Sequence, residues 1–300
     1  MLPPSYFHLA KNNMKYFIAG LLAITTMVAE VKAQVPKEKT LLWEVSGQGI
    51  TKPSYLFGTI HLMCANELKM PDIVKEKFNG SQQLFLEIDL DDPGMMKEMM
   101  TGMQMHDSST IENLMGADFD KANNVFQSKT GVSLKMLNSA KPFLLMSMIY
   151  PSLLGCQPLS WDMEFQKMAT AKQLEIQGLE KLSDQINVLE KIPYKVQSDM
   201  LFKMLQNLDS SKLSFEELSS VYKAKDINKL YELTKNDKDF GQYEETFLND
   251  RNHNWIPVIG QQAKKKPTFF AFGAGHLGGD KGVISLLRKA GYTVKPVHYR

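Results

Sequence analysis

Net charge and cysteine are both scarce in this 300-residue sequence. Its 35 lysines and arginines nearly balance its 33 aspartates and glutamates, which leaves a formal net charge of +2. Without a strong excess of basic residues, the chain lacks the electrostatic signature of proteins that bind nucleic acid, so its composition argues against that class of partner. Only two cysteines are present, too few for a four-cysteine zinc motif.

Long hydrophobic runs are also scarce, and the one that stands out lies near the N-terminus. Lys11 and Lys15 precede an apolar stretch at residues 16–29, and a small-x-small site ending at Ala33 follows it. This order is typical of a secretory signal peptide, and the apolar stretch is too short to span a membrane comfortably. We therefore expect residues 1–33 to be removed. The mature chain is expected to be exported, to the periplasm or outside the cell, and to carry no transmembrane segment.

One pattern occurs twice: Phe-Gly-x-x-His-Leu stands at residues 57–62 and again at residues 272–277. From the glycine and histidine content of the chain, a Gly-x-x-His preceded by Phe arises by chance roughly 0.02 times, so two accidental copies are not expected. The copies contain His61 and His276, and imidazole is the commonest metal ligand and general acid/base in proteins. The repeat predicts two equivalent histidines that the folded core brings together.

A glycine precedes each motif histidine by three residues, Gly58 in the first copy and Gly273 in the second. Glycine at the end of a strand permits close approach of another part of the backbone, or a positive φ angle. These glycines are therefore expected to support the site. The alternative is that both histidines are structural groups satisfied by hydrogen bonds at strand ends, and the repetition argues against it.

The two cysteines, Cys64 and Cys156, both fall in the predicted mature chain, and Cys64 follows His61 by three residues. Export places them in an oxidising compartment, where disulfides form and persist. We hypothesise a disulfide between them. Two buried thiols and thiolate ligation of a soft metal are the alternatives.

Strand-like segments are concentrated near the two ends of the predicted mature chain, and helical patterns fill its middle. Strands are predicted at residues 41–45, 54–60, 83–90, 175–179, 268–272 and 293–297, and the first two are expected to form a hairpin. Helices are predicted at residues 71–78, 95–105, 118–129, 140–154, 161–172, 182–191, 193–205, 214–223, 227–235, 244–264 and 281–290. Ser214, with Glu217 three residues later, is typical of a helix start.

These elements predict one α/β (or α+β) domain over residues 34–300. Strand-helix-strand halves at residues 41–92 and 267–300 are expected to build a mixed central sheet, and residues 93–266 form a mainly helical insertion between them. Open α/β sheets bind ligands at the carboxyl ends of their strands, which is where both histidine motifs would lie.

An acidic residue, Glu87, lies inside the apolar segment QLFLEIDL. Burying a carboxylate in so apolar a strand is costly unless a cation or hydrogen bonds compensate it. Strand alternation places Glu87 and Asp89 on the same face. Either a metal or a charged histidine offsets the burial cost, or both carboxylates face solvent at a sheet edge.

Four further polar residues are candidates for the site, and each leaves an alternative open. Glu180 is either a second acid or ligand, or a carboxylate at a helix N-terminus. Arg251 either binds a substrate carboxylate or an oxyanion, or lies on the surface, and Asn252 follows it in the same helix. Asp162 either caps a helix or reaches the site.

The segments FGTIH, FLEID, GLE, RN and FGAGHL together resemble the TraB/GumN family, over about residues 41–298. That family includes the PrgY proteins and is related to the Tiki metalloproteases and, more distantly, to haem-binding proteins. The resemblance implies that His61 and His276 bind a divalent metal, with Mn, Co and Zn all compatible. It implies that Glu87 is a third ligand or the base that activates water, and it places Glu180 and Arg251 at further polar positions around the cleft.

The function implied by the resemblance is an exported metal-dependent hydrolase, with peptidase activity on a peptide or protein substrate. Glu87 or Glu180 would accept a proton, and Arg251 would stabilise developing negative charge. The alternative is a non-catalytic protein of the same fold that binds haem, a metal or a peptide. The oligomeric state stays open.

Overall fold

The computed structural model of the protein describes residues 35–300. The predicted signal peptide, residues 1–33, lies outside the described residues. Among the helices of residues 35–300, none is both long enough and apolar enough to cross a membrane.

A mixed sheet occupies the centre of the fold. The strands of the described chain are β1 (Leu42–Gly47), β2 (Ile50–Thr59), β3 (Met63–Cys64), β4 (Gln83–Leu86), β5 (Pro158–Leu159), β6 (Glu175–Gly178), β7 (Thr268–Gly273) and β8 (Thr293–Val297). Six of them form one sheet in the order β6-β4-β7-β2-β1-β8, and β3 pairs with β5 separately. The strands from β6 to β2 run parallel, whereas β1 is antiparallel to β2 and to β8. The predicted mixed sheet and the β1–β2 hairpin are therefore confirmed.

Helices cover both faces of this sheet. The α-helices of the described chain are α1 (Asp72–Asn79), α2 (Met95–Gly102), α3 (Ile111–Met115), α4 (Phe119–Thr130), α5 (Pro142–Ser147), α6 (Tyr150–Leu154), α7 (Trp161–Ala171), α8 (Leu182–Glu190), α9 (Tyr194–Gln206), α10 (Leu208–Lys223), α11 (Ile227–Lys235), α12 (Asp250–Lys265) and α13 (Val283–Lys289), and only some of them contact the sheet. In β7, Phe269 packs against Phe78 of α1 and Phe165 of α7, whereas Phe272 packs against Trp255 of α12. Because alternate residues of a strand point to opposite faces, β7 is covered on both sides, which explains its continuous apolar sequence.

Two helix predictions were wrong in their limits. The single helix predicted at residues 140–154 is divided into α5 and α6, and Pro151 lies in the first turn of α6. Proline lacks the N–H that would continue the preceding helix, so it favours a new start. The predicted helix start at Ser214 lies inside α10, which begins at Leu208, so Ser214 is not a cap.

Apolar side chains form two buried clusters. The first surrounds the main sheet and contains residues of α1, α7, α12 and α13. The second lies among α3, α4, α5, α6 and α9, all within the predicted insertion. The insertion also supplies β6, the edge strand that pairs with β4, so the sheet is not built from the chain ends alone.

Strand β4 is shorter than predicted, because it ends at Leu86 rather than at residue 90. The chain bends at Glu87, whose carboxylate accepts a hydrogen bond from the backbone N–H of Gly273. Strand alternation therefore does not fix the positions of Glu87 and Asp89, and Asp89 lies in the following turn, where its carboxylate accepts from the N–H of Asp91.

Candidate functional site

Four parallel strands end at one edge of the sheet, and each leads to a predicted site residue. β2 is followed by His61, β7 by His276, β4 by Glu87 and β6 by Glu180. The last residues of β2 and β7 pair with each other, so the two histidine motifs leave the sheet side by side. The topology thus gathers these side chains at the edge where open α/β sheets bind ligands.

The motif glycines permit two close approaches. A Cβ on Gly58 would lie 2.7 Å from Cδ1 of Leu277 and 2.8 Å from Cβ of Ala274, so the second motif packs directly on the first. A Cβ on Gly273 would lie 3.1 Å from Oε1 of Glu87. Gly58 therefore requires the absence of a side chain, whereas at Gly273 a Cβ would press on the carboxylate of Glu87 and displace it slightly.

His61 is held by a carboxylate at the mouth of the cleft, and 68% of its side chain is exposed. Its Nδ1 lies 2.9 Å from Oδ2 of Asp162, and Thr59 donates a hydrogen bond of 3.1 Å to Oδ1 of the same carboxylate. Its Nε2 lies 3.7 Å from Oε1 of Glu87. The surrounding protein atoms disfavour the charged ring, but the hydrogen bond to Asp162 and the charge of Glu87 raise the pKa of His61 to about 9.

Asp162 reaches the site rather than capping its own helix. Ser160 is the N-cap of α7 and accepts a hydrogen bond from the N–H of Asp162. From the second position of the helix, the Asp162 carboxylate accepts from His61 and Thr59, and its Oδ2 also accepts from the Ser160 hydroxyl.

His276 occupies a buried position and is 5% exposed. Its Nδ1 lies 2.6 Å from Oδ1 of Asn252, and this network assigns the proton to Nδ1, because an amide oxygen only accepts. The Asn252 amide is anchored in turn, since its Nδ2 donates to the backbone oxygen of Lys281. Burial, together with the nearby guanidinium of Arg251, lowers the pKa of His276 to about 3, so its ring is neutral at physiological pH.

Glu87 is the buried carboxylate between the two histidine motifs. Oε1 accepts from the N–H of Gly273 at 2.8 Å, and Oε2 accepts from Nη2 of Arg251 at 2.6 Å and from Nε2 of Gln185 at 3.1 Å. Burial alone would favour the protonated acid, but the charges of Arg251 and His61 hold the pKa of Glu87 well below its usual range. The carboxylate is therefore ionised and fully hydrogen-bonded at neutral pH.

Arg251 lies at the centre of this arrangement, and it is not a surface residue. Its Nε donates to both carboxylate oxygens of Glu180, at 2.9 and 3.2 Å, and Nη2 donates to Glu180 and to Glu87. Nη1 lies 3.3 Å from Nε2 of His276, and the guanidinium lies 5.0 Å from the centroid of the Trp255 ring. The side chains of Arg251, Glu87 and Glu180 are only 13%, 9% and 8% exposed, so this is a buried ion-pair network.

Glu87, Arg251 and both histidine motifs line a cavity of about 220 Å³. Leu218 and Tyr222 of α10 and Leu230 and Thr234 of α11 complete its wall. The Tyr222 hydroxyl also donates to the backbone oxygen of Gly58, which ties α10 to the first motif.

The donor chemistry at this edge fits a divalent cation. Metal-bound imidazoles hold their second ring nitrogen against an oxygen acceptor, and both motif histidines hold Nδ1 in this way. Nε2 of His61, Cδ2 of His276 and Oε1 of Glu87 all lie within 3.8 Å of the point where a Cβ on Gly273 would stand. Two imidazoles and one carboxylate thus face a common space.

Arg251 already engages two of these three groups. Within residues 35–300, no three His, Cys, Asp or Glu side chains converge closely enough on one point to hold a metal as they stand. The guanidinium contacts Oε2 of Glu87 and Nε2 of His276. A metal held by Nε2 of His276 would have to displace Arg251 from that atom, whereas Oε1 of Glu87 is not contacted by the guanidinium.

The structure joins Cys64 and Cys156 in a disulfide, with their Cα atoms 5.7 Å apart. Cys64 belongs to β3, directly after His61, and Cys156 precedes β5, which leads into α7 and Asp162. The bond and the β3–β5 ladder therefore connect the two loops that carry the His61–Asp162 pair.

Three side chains of the site were not predicted from the sequence. Gln185 bridges Glu87 and Glu180, and Nε1 of Trp255 donates to Glu180. Gln185 lies in α8, where no motif marks it, whereas Trp255 follows the Arg251–Asn252 pair by one helical turn, and that spacing was the available signal. Thr59 stands inside the first hexapeptide, two residues before the motif histidine, and its hydroxyl was the available signal.

Comparison with known proteins adds independent information. A profile of the TraB/PrgY/gumN family matches residues 41–296. The chain is 23% identical to "Metalloprotease TIKI2" of Danio rerio over 317 aligned positions, which cover 85% of the chain and 60% of that protein. It is 22% identical to "Metalloprotease TIKI1" of Homo sapiens over 337 aligned positions, which cover 91% of the chain and 66% of that protein. The chain thus spans less than two thirds of the length of these relatives, and no solved structure gives a significant match.

Proposed function

Because the chain belongs to the TraB/PrgY/gumN family, we propose that it is a metal-dependent hydrolase whose substrates are peptides or proteins. The observation that carries the proposal is the convergence of two imidazoles and one buried carboxylate at the carboxyl edge of the sheet. Similarity to two proteins named as metalloproteases supports the same class of reaction.

In this proposal His61 and His276 would hold the metal through Nε2, and Glu87 would be either a third ligand or the base that accepts a proton from water. Mn, Co and Zn all accept such a donor set. When bound, the metal polarises the substrate carbonyl and lowers the pKa of a water molecule. Asp162 and Asn252 fix the orientation of the two rings, because each holds Nδ1 and leaves Nε2 directed into the site.

Arg251, Glu87 and Glu180 have different roles in the proposed reaction. Both oxygens of Glu180 are occupied by Arg251 and Trp255, so we assign Glu180 to the positioning of Arg251 rather than to proton transfer. Where Glu87 acts as the base, it would accept the proton on Oε1, the oxygen that Arg251 does not contact. Arg251, still held by Glu180, then binds the negative charge that develops on the substrate.

Export is part of the same proposal. The charged, apolar and small-residue segments before Ala33 support signal-directed export to the periplasm or outside the cell. The Cys64–Cys156 disulfide supports it as well, because such bonds persist in oxidising compartments.

A non-catalytic protein that binds haem, a metal or a peptide is the second candidate. The ion pair between Arg251 and Glu87 favours it, because pairing with the guanidinium lowers the affinity of the carboxylate for a metal and for a proton. Peptides that are bound and released uncut would identify this function.

Elemental analysis of the mature protein, residues 34–300, tests the metal site directly. The wild type is expected to contain about one equivalent of a divalent metal, and His61→Ala and His276→Ala are expected to lose it. His298→Ala is the control, because His298 is exposed near the C-terminus and has no role in the site. Equal metal content in all four proteins would refute the metal site.

Cleavage of a peptide library, with and without chelator, tests the reaction. Chelator and Glu87→Gln are both expected to abolish cleavage, because each removes a component of the proposed chemistry. A metal-loaded wild type that cuts no peptide would refute the hydrolase and leave the binding protein.

A further inference from the structure

Arg251 separates two cavities of very different size. On one side is the histidine cavity of about 220 Å³, and on the other is a cleft of about 850 Å³ whose wall Arg251 also forms. The larger cleft runs between α8 and the start of α12, with Leu179 and Glu180 at its base.

The difference in volume indicates that the two cavities bind different parts of a substrate. Sites that enclose a ligand typically measure about 300–1,000 Å³. The histidine cavity falls below this range, so it has room for the reacting groups but not for the residues that flank them in a peptide. The larger cleft lies well within the range and shares a wall with the histidine cavity.

Polar side chains without protein partners line the larger cleft. Among the described residues, no hydrogen bond or ion pair is made by the side chains of Asn187 and Lys191 on one wall, or of Asp250 and Asn254 on the other. Asp184, by contrast, is engaged at the start of α8 by the N–H of Lys181. Four unpaired polar groups therefore face a shared space.

The chemistry of these groups indicates what they bind. An asparagine amide both donates and accepts, which matches the alternating N–H and C=O groups of an extended peptide. Asn187 and Asn254 supply such amides on opposite walls. Apart from the Arg251–Glu180 ion pair, the lining carries the two carboxylates of Asp184 and Asp250 and one ammonium group, that of Lys191, so it favours a cationic ligand. Only Leu179 and Val188 are apolar in this lining, so an apolar ligand is not favoured.

We propose that the cleft between α8 and α12 binds a polar peptide segment that flanks the reacting bond, with Asn187 and Asn254 on its backbone and Asp250 beside a cationic side chain. This inference rests on the proposed function for the identity of the substrate, but it concerns residues outside the histidine cavity. It assigns substrate preference to the helices of the insertion rather than to the motifs.

Affinity selection tests the proposal without requiring catalysis. A randomised decapeptide library is selected on immobilised mature protein carrying Glu87→Gln, and the retained peptides are sequenced. Peptides rich in Lys and Arg are expected to be enriched, and Asp250→Lys is expected to reverse that preference. Asp209→Lys is the matched control, because Asp209 is also an exposed, unpaired aspartate in the first turn of a helix.

The backbone contacts are tested in the otherwise unaltered protein. The double variant Asn187→Ala/Asn254→Ala is expected to weaken peptide binding, or to raise KM with kcat nearly unchanged, by about tenfold for the loss of two hydrogen bonds. Asn113→Ala, at an exposed asparagine of α3, is the control.

The outcomes separate this inference from the proposed function. Peptides selected through the cleft but never cut would support the cleft and refute the hydrolase. Peptides cut or retained equally by the wild type and by every cleft variant would refute the cleft and leave the hydrolase intact. A wild type that enriches no peptide also overturns the cleft proposal.

Discussion

The two copies of the hexapeptide occupy equivalent positions and opposite environments. His61 and His276 each follow a parallel strand, and their strands are neighbours in register. Yet the His61 side chain is 68% exposed beside a carboxylate, whereas His276 is 5% exposed beside an amide and a guanidinium. Their pKa values are accordingly displaced in opposite directions, to about 9 and about 3.

The repeat therefore determines where the two histidines lie, whereas their hydrogen-bond partners determine whether each ring is protonated. Asp162 and Asn252, which hold Nδ1 of the two rings, come from α7 and α12 and belong to neither repeat. His61 therefore carries a proton that a metal would have to displace, whereas His276 already presents a neutral Nε2. The two histidines are equivalent by sequence but not by chemistry.

Of the changes considered, Arg251→Met is expected to have the largest effect, because it removes the guanidinium that contacts His276 but not His61. Glu87 and Glu180 would remain buried without their partner, and loss of one member of a buried ion pair costs about 3–5 kcal/mol. We expect that loss in the free energy of unfolding, measured with urea at pH 7. The pKa of His276 is expected to rise in the same variant.

Lys203→Met is the control for this experiment, since its ion pair with Asp239 is largely exposed. Exposed pairs contribute about 0–1 kcal/mol, so the two variants should differ severalfold in their effect. Equal destabilisation would mean that Arg251 is not the centre of a buried network.

Exchanging the partners sharpens the comparison further. Asp162→Asn is expected to lower the pKa of His61, and Asn252→Asp to raise that of His276, each by about 1–3, the range for an adjacent opposite charge. Histidine titration by NMR measures both.

Asp72→Asn and Asn113→Asp are matched controls, because both residues lie in first turns of helices away from the site. If the exchanges leave both imidazole titrations unchanged, the assigned partners do not control protonation.

The smallest expected effect is the pH dependence of stability that His61 contributes. Its pKa is raised to about 9 in the folded chain from an ordinary value of 6.5, so the charged ring stabilises the fold fully below about pH 6.5. That contribution is lost as the pH rises through about 9. The difference in unfolding midpoint between wild type and His61→Ala should therefore shrink between pH 6.5 and 9, and a difference that grows would contradict it.

The sequence predicted the elements that depend on local patterns. Continuous apolar runs predicted β4 and β7, and the repeated hexapeptide predicted that two histidines would meet at strand ends. Glu87 was identified because a carboxylate in so apolar a segment needs a partner, but it was placed inside the strand, whereas β4 ends before it. What failed were limits set by tertiary contacts: β4 stops at Leu86 because the carboxylate of the next residue turns toward Gly273.

The partners of the site side chains were beyond local patterns. The choice between capping and site for Asp162 depended on whether Ser160 took the cap, and both residues are good caps. Arg251 was left open between the surface and the site, and only the packing of α12 against the sheet buries it between two glutamates. Such contacts join segments 71 to 164 residues apart, a separation that periodicity does not report.

Because of the Cys64–Cys156 bond, we expect the two halves of the site to form at different stages of folding and export. It closes a loop between residues 92 positions apart and fastens the loop of His61 to that of Asp162, whereas His276 and Asn252 need no such link. We expect the reduced chain to complete its His276 half first and its His61 half only after leaving a reducing compartment. NMR signals of His61 that shift with reductant, beside unchanged signals of His276, would report this order. In a reducing compartment the protein would therefore lack a complete His61 half of its site.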